Sequence, residues 1–71
     1  MNITINGEKE HLTGQTIVIS DLLQIKNVES PEMVSVQLNG KIVNQERFQS
    51  TSVTENDELE FLYFMGGGEN K

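Results

Sequence analysis

The part of the sequence that most directly suggests a reaction is a run of three consecutive glycines, Gly66, Gly67 and Gly68. They follow an apolar run from Phe61 to Met65 with no polar residue between. Because glycine has no Cβ, a glycine run can pass through a slot too narrow for any side chain. Three extended residues reach about 10 Å, which is enough to present a terminal carboxylate to a neighbouring active site. The alternative is a flexible end without a role.

Side chains elsewhere in the sequence offer little chemistry. The absence of cysteine excludes disulfides, thiolate metal sites, iron–sulfur clusters and cysteine nucleophiles. His11 is the single histidine, has no partner arrangement for catalysis, and is predicted to be a solvated surface residue. The acidic residues before the apolar run lack the spacing and turn glycine of a calcium site, so we expect a solvated turn or, second, docking on a basic partner. These residues are Glu55, Asp57, Glu58 and Glu60.

Length and charge narrow the class of protein further. A chain of 71 residues predicts one small domain with little room for an enclosed cofactor. The net charge of −6 argues against nucleic acid and anionic membranes as partners and favours a basic protein surface. Residues 1–5 contain neither a basic region nor a long apolar run, so we expect no signal peptide or membrane span and a cytoplasmic location. No metal or cofactor bound by this chain is expected.

Two Asn-Gly pairs, Asn6-Gly7 and Asn39-Gly40, each predict a tight hairpin, since both central positions of such a turn favour positive φ. The flanking residues alternate apolar and polar, as in half-buried strands. The second strand of the first hairpin is polar and is expected at a sheet edge. The strands that they join are residues 2–6 with 8–12 and residues 33–38 with 41–43.

One short helix is predicted between the hairpins. Ser20 is the expected N-cap, and Leu22, Leu23 and Ile25 would supply a buried stripe. Pro31 prevents the helix from continuing. A helix of two or three turns cannot stand alone, so it must pack on a sheet.

The second half of the chain leads to the glycines. Residues 45–48 are expected to form a single turn that places Phe48 in the core, with Arg47 tethered to a nearby carboxylate or carbonyl. Residues 50–52 are predicted as loop, residues 55–57 as a turn, and residues 58–65 as the last strand. The first and last strands are the most apolar and are expected at the centre of a mixed sheet, with the helix across one face.

The last strand carries apolar groups on both faces. In a five-stranded sheet covered by one helix, the other face should meet water, so apolar side chains there form an exposed patch that expects a partner. Leu62 and Phe64 occupy that face in one register, and Tyr63 in the opposite one. Met65 is a candidate for the rim of the same docking surface. A covering loop is the alternative explanation.

Taken together, these motifs resemble the ThiS group of sulfur carrier proteins, from the first strand pair through the Asp-Leu-Leu of the helix to the glycine run. The resemblance implies an α+β fold of the β-grasp, ubiquitin-like type, with about five strands in a mixed sheet. It also implies a carrier domain over residues 1–65 and a flexible glycine tail with a short extension over residues 66–71. The stretches that carry it most clearly are Asn39–Val43, Arg47-Phe48, Asn56–Phe61 and Phe64–Gly68.

A carrier cycle is what the resemblance implies about function. In such proteins a ThiF-type adenylating enzyme uses ATP to convert the terminal glycine carboxylate into an acyl adenylate. Sulfur from a cysteine desulfurase then displaces AMP, and the thiocarboxylate donates sulfur to thiazole synthase (ThiG type) in thiamine biosynthesis. On this chain Gly68 would carry the acyl group, with Gly66 and Gly67 as its stem. The chain would be a substrate of these enzymes and would catalyse nothing, and ATP and metal would bind to the partner.

The sequence departs from the family pattern after Gly68, where Glu69, Asn70 and Lys71 follow. A glycine in a peptide bond has no carboxylate to activate, so we expect a protease to remove these three residues; whether Gly67 or Gly68 becomes the terminus stays open. Other acceptors of the sulfur, such as molybdopterin, cysteine or homocysteine, also remain open. So do a ubiquitin-like modifier of other proteins and an interaction module whose tail has no role.

Overall fold

The computed structural model of the protein describes residues 1–28 and 30–63. The predictions for Phe64, Met65, the three glycines and the extension lie outside the described residues. Within the described part the elements are strands β1 (Asn2–Ile5), β2 (Glu8–His11), β3 (Thr16–Val18), β4 (Val34–Leu38), β5 (Lys41–Val43), β6 (Ser52–Thr54) and β7 (Glu58–Tyr63), helix α1 (Ile19–Ile25), and 3-10 turns at Pro31–Met33 and Gln45–Arg47.

Five of these strands form one mixed sheet in the order β2-β1-β7-β4-β5. β1 and β7 run parallel, whereas β1–β2, β4–β5 and β4–β7 are antiparallel. This confirms the predicted α+β fold, with the polar strand β2 at an edge and the last strand at the centre. The most apolar strand lies in the interior of the sheet, where strands flank it on both sides.

Both predicted Asn-Gly hairpins are present. Asn6 and Gly7 have φ values of 52° and 82°, and Asn39 and Gly40 have φ values of 53° and 85°. Two consecutive residues with positive φ form the turn that matches the twist of antiparallel strands. The hairpins β1–β2 and β4–β5 therefore have the register that the turns dictate.

The core lies between one face of the five-stranded sheet and α1. Leu22 and Leu23 of the helix are almost fully buried, as predicted, and Phe48 is placed in the core by the turn at Gln45–Arg47. Burying one side chain of this size contributes about 1.5–3 kcal/mol. The buried apolar residues are Ile3, Ile5, Ile19, Leu22, Leu23, Val34, Val36, Phe48, Val53, Leu59 and Phe61.

The prediction for the start of the helix was wrong. The helix begins at Ile19, Val18 occupies the N-cap position, and no side chain caps it. The amide of Ile19 donates to the carbonyl of Thr51 at 3.1 Å, and that of Ser20 donates to the carbonyl of Phe48 at 2.9 Å. Backbone carbonyls from a distant segment thus take the place that a capping side chain would fill.

Ile25 does not belong to the buried stripe of the helix, contrary to the prediction, because its side chain is 54% exposed. α1 contains only seven residues, and Ile25 is its last. Lys26 forms the C-cap, and Asn27 takes a positive φ of 60°. The chain therefore leaves the helix before another turn can cover Ile25.

A second, two-stranded sheet was missed in the sequence. β3 pairs antiparallel with β6, and Ile17 lies opposite the fully buried Val53. The prediction of loop over residues 50–52 was wrong at Ser52, which pairs with Val18. Three-residue strands show too little alternation to be recognised, and only their mutual pairing defines them.

Candidate functional site

β7 is the element that leads to the glycine run. Its side chains alternate, with Leu59 and Phe61 buried against the helix side and Glu58, Glu60 and Leu62 on the opposite face. That opposite face of the sheet, which we call the open face, carries no helix among the described residues. The strand thus anchors itself through one face and presents the other to solvent.

Two residues of the predicted apolar patch at the end of β7, Leu62 and Tyr63, belong to the described part of the chain, and both are exposed. Leu62 is 44% exposed on the open face, opposite Ser35 of β4. Tyr63 is 51% exposed and lies opposite Val34, the first residue of β4. The alternation along β7 places the Tyr63 side chain on the helix side of the sheet. Tyr63 is nevertheless exposed, because it lies at the margin of the sheet, so Leu62 and Tyr63 are both accessible. No loop among the described residues covers either one.

Ile42 is a further exposed apolar residue of the open face, and it was missed in the sequence. It pairs with Gln37, which pairs in turn with Glu60, so all three lie on the open face. Its side chain is 67% exposed, the highest value among the large apolar residues described. The sequence contained a signal that could have identified Ile42. Its neighbour Val43 is partly buried against the core, and successive residues of a strand point to opposite faces, so Ile42 must point outward.

The acidic residues before the patch divide into two pairs. Glu55 accepts hydrogen bonds from the backbone amide and side-chain amide of Asn2, at 2.9 and 3.3 Å. Asp57 accepts from the Thr54 amide at 2.8 Å and therefore closes its own turn. Glu58 and Glu60 have no such partners among the described residues and remain exposed on the open face. The first pair fits the predicted solvated turn, and the second leaves negative charge facing outward.

His11 lies at the far edge of the open face, on β2. Its Nδ1 is 2.8 Å from Oδ1 of Asn2, whose Nδ2 donates to Glu55. Because that amide oxygen can only accept, Nδ1 of the ring carries the hydrogen. His11 is exposed and borders an open depression of about 640 Å³, most of whose lining residues are polar. The arrangement is a surface hydrogen-bond chain, as the sequence led us to expect.

The remaining candidates supply no reactive centre in the described part of the chain. The Arg47 side chain is exposed, and no hydrogen bond or ion pair joins it to another described residue, so the expected tether is absent there. No three His, Asp or Glu side chains of residues 1–28 and 30–63 lie close enough together to hold a metal ion. No helix in these ranges is both long enough and apolar enough to cross a bilayer.

Two asparagine side chains hold β7 in place, and sequence reasoning did not identify this. Oδ1 of Asn39 accepts from the Glu58 amide at 2.9 Å, while its Nδ2 donates to Asp57 at 3.1 Å. On the other side of the strand, Oδ1 of Asn6 accepts from the Phe61 amide at 2.8 Å. Asn6 and Asn39, which form the two hairpin turns, therefore also hold the backbone of β7 through their side chains.

Comparison with known proteins places this architecture in a family. The model of the ThiS family matches residues 3–68. The chain is 30% identical over 66 residues to the sulfur carrier protein ThiS of Bacillus subtilis, covering 93% of this chain and 98% of that one.

Solved structures agree with this match. A crystal structure of the thiamine biosynthesis protein ThiS from Geobacter metallireducens superposes with a TM-score of 0.85 and 42% identity, over 96% of this chain and all of that one. A solution structure of a thiamine biosynthesis protein from the same organism gives a TM-score of 0.80 and 40% identity, over 100% and 92% of the two chains. With a family match over nearly its whole length and this fold, the chain belongs to the ThiS family.

Proposed function

We propose that this protein carries sulfur for the thiazole of thiamine as a thiocarboxylate on Gly68. A sulfur carrier of thiamine biosynthesis is the function that family membership supports, and the finer chemistry is our proposal. The observation that carries it is the extent of the family match, which ends at Gly68 and leaves Glu69–Lys71 outside. The reactive group is then a backbone carboxylate, which fits a chain without cysteine.

The proposed cycle places all catalysis on partners. The Gly68 carboxylate attacks the α-phosphate of ATP in a ThiF-type enzyme, and pyrophosphate leaves. A persulfide formed on the cysteine desulfurase displaces AMP and leaves an acyl disulfide on Gly68. A thiol such as free cysteine then reduces the S–S bond and is itself oxidised to a disulfide, which leaves the thiocarboxylate whose sulfur thiazole synthase receives. This chain supplies the acyl group and its presentation, and ATP and metal bind to the adenylating enzyme.

The geometry of β7 supports this division of labour. Tyr63 is the last described residue of a strand held on both flanks, and Gly68 follows five residues later. Five residues span at most about 18 Å when extended. A carboxylate at that reach can enter a pocket of the partner while the domain stays on its surface. Gly66 and Gly67 offer no side chain to obstruct a narrow entrance.

Docking on the partner is assigned to the surface next to this exit. Leu62 and Tyr63 are exposed, and we add Ile42 to these contacts because it shares the open face with Leu62. Phe64 and Met65 remain sequence-based members of the same surface. Glu58 and Glu60 would steer the chain toward a basic partner surface, since opposite charges accelerate encounter.

Removal of Glu69–Lys71 is a required step of this proposal. A glycine within the chain has no carboxylate, so a processing protease must cleave after Gly68. Intact mass of the protein isolated from its native cells tests this step. A product ending at Gly68 supports it, and a population that ends only after residue 71 excludes the cycle for this chain.

The main experiment is a reconstitution with the chain ending at Gly68. It is incubated with ATP, the ThiF-type enzyme, the desulfurase and cysteine, and its intact mass is measured. We expect one carboxylate oxygen to be replaced by sulfur. The unprocessed chain, which ends after residue 71, is the matched control and should keep its mass. Gly67→Ala should retain the fold but lose charging, because the added methyl group obstructs the entrance.

Other outcomes assign other functions. Covalent adducts between Gly68 and lysines of other proteins would indicate a ubiquitin-like modifier. A charged chain that passes sulfur to a molybdopterin precursor, but not to thiazole synthase, would change the acceptor and keep the carrier chemistry. No mass change with any adenylating enzyme would leave only an interaction module. Charging of Gly67→Ala at the normal rate would contradict the narrow entrance.

A further inference from the structure

The backbone groups of β7 point alternately to its two neighbouring strands. The carbonyl of Glu58 accepts from the Asn39 amide, on the β4 side, at 2.7 Å. The carbonyls of Asp57 and Leu59 accept from β1 and the residue that follows it, through the amides of Thr4 and Asn6, at 3.0 Å each. In an extended strand this alternation continues, so the odd-numbered residues of β7 direct their amides and carbonyls toward the β1 side.

β1 ends before β7 does. The parallel pairing covers only Thr4 with Glu58 and Ile5 with Leu59. The chain then turns away at Asn6, whose side chain replaces the missing strand by accepting from the Phe61 amide. β4, by contrast, accompanies β7 on its other side as far as Tyr63.

A short open edge therefore exists within the sheet, beyond the end of β1. It consists of the Phe61 carbonyl and the Tyr63 amide and carbonyl, and no partner for these groups occurs among residues 1–28 and 30–63. An unpaired strand edge is a template for another extended chain. We call these three groups the β7 edge.

We propose that an extended segment of the enzyme that receives the glycine tail pairs with the β7 edge and continues the path of β1. This inference rests on the proposed function, and it identifies how the partner engages the same exit. The partner thereby adds a strand to the sheet through main-chain hydrogen bonds to Phe61 and Tyr63, at the end of the described part of β7.

Charge and position identify the occupant as a segment of that enzyme. The β7 edge lies five to seven residues before Gly68, so whichever protein encloses the tail lies next to it. A residue paired opposite Leu62 would project on the open face, beside Leu62 and Glu60. Since Glu60 is exposed and the chain has a net charge of −6, the fitting segment combines an apolar side chain with a neighbouring cationic one.

Pairing at this position would set the direction of the tail. Three backbone groups permit only two or three hydrogen bonds, which add little affinity but fix the orientation of Tyr63. The residues after it would then leave the domain along one line. A strand added here works as a guide that aligns the glycines with the pocket, while Leu62 and Ile42 provide apolar contact.

Amide hydrogen exchange tests the proposal residue by residue. The full chain and the chain ending at Gly68 are measured alone and with the ThiF-type enzyme. We expect the Tyr63 amide to exchange rapidly in the free chains and on the order of tenfold more slowly in a complex. The Phe61 amide, already bonded to Asn6, should be protected throughout and is the internal control.

A backbone ester at Tyr63 gives a second readout. It replaces the Tyr63 amide N–H with oxygen and also weakens the Leu62 carbonyl, which faces β4, as an acceptor. An ester at Phe61 is the matched control, because it weakens the Glu60 carbonyl toward β4 in the same way and also removes the bond to Asn6. The Tyr63 ester should lose clearly less unfolding free energy than the Phe61 ester and require more enzyme or carrier for half-maximal charging. Equal losses of stability would show that the chain itself uses the Tyr63 amide, and the proposal would be wrong.

The two hypotheses fail in different ways. Charging at the usual KM with an unprotected Tyr63 amide overturns the added strand and leaves the sulfur carrier function intact. Absence of charging in the unmodified, Gly68-terminated chain overturns the proposed function and this inference with it. Protection of Tyr63 in the free full chain, lost in the chain ending at Gly68, would assign the edge to the protein's own extension and also overturn the proposal.

Discussion

β7 contains two segments that differ in backbone pairing and in burial. In the first, Glu58 to Phe61, hydrogen bonds reach both flanks, and Leu59 and Phe61 are buried. In the second, Leu62 and Tyr63, only β4 pairs with the strand within the described residues, and both side chains are exposed. One strand thus serves the core over its first four residues and offers its last two to other molecules.

These two segments indicate how a domain of this size can present a terminus. A tail attached to a loop would move with that loop, whereas a tail attached to β7 follows a strand whose preceding residues are hydrogen-bonded on both flanks. Substitutions in the first segment should therefore change stability, and those in the second should change the reaction with partners. Each prediction below tests or refines that separation.

The largest effect is expected for Leu59→Ala, which removes a side chain that is 1% exposed from the first segment. Lost burial and the remaining cavity should lower the free energy of unfolding by about 2–5 kcal/mol. Urea denaturation followed by circular dichroism measures it. Leu62→Ala is the matched control, with the same chemical change on the same strand, and should lower it by about 0.5 kcal/mol or less. Equal losses in both variants would contradict the separation.

A smaller loss of stability is expected for Asn6→Gly. Glycine adopts the φ of 52° found at this position but leaves the Phe61 amide without its acceptor. We expect a loss of about 1–2 kcal/mol in unfolding free energy and faster exchange of the Phe61 amide. Asn56→Gly is the control, since Asn56 also has a positive φ of 70° and no side-chain hydrogen bond to a described residue. If both variants lose the same amount, the asparagine side chain does not hold β7.

Features set by neighbouring residues could be predicted from the sequence. The two Asn-Gly turns require positive φ at adjacent positions, and this property belongs to the residues themselves. Period-two alternation likewise predicted the inward residues of β1 and β4, and it offered Leu62 as exposed in one of the two registers left open for β7. These predictions succeed because turn geometry and strand pleat depend on local sequence.

Features set by distant segments could not be predicted. The first amides of α1 bond to carbonyls of Phe48 and Thr51, some thirty residues away in sequence, so no local residue marks the start of the helix. The bond from Phe61 to Asn6 joins positions 55 residues apart. Ile42 became a candidate contact only when the register of β4 and β5 placed it on the open face with Leu62.

For the docking surface we expect a change in the KM of adenylation and not in the free energy of unfolding. Leu62→Ser should raise the KM of the chain in adenylation about fivefold to tenfold, since about 1 kcal/mol or slightly more of apolar contact is lost. Ile25→Ser is the matched control, because Ile25 is comparably exposed, at 54% against 44%, but lies at the end of α1. Pyrophosphate release gives both rates. A similar rise in KM for Ile25→Ser would show that the contact is not confined to the end of β7.

The smallest effect is expected for the ion pair between Lys26 and Glu10, which joins the C-terminal end of α1 to β2 at 2.9 Å. Both side chains are about one-third exposed, so solvent screens the attraction and the pair should contribute about 0.2–1 kcal/mol. A double-mutant cycle of Lys26→Ala and Glu10→Ala measures the coupling, which should shrink in high salt, with Lys9→Ala as the control for removing a positive charge nearby. Neither partner lies on β7, so charging by the adenylating enzyme should be unchanged. A charging defect in Lys26→Ala without loss of stability would place a contact with the enzyme on the helix side of the domain, and the role of the open face would then be incomplete.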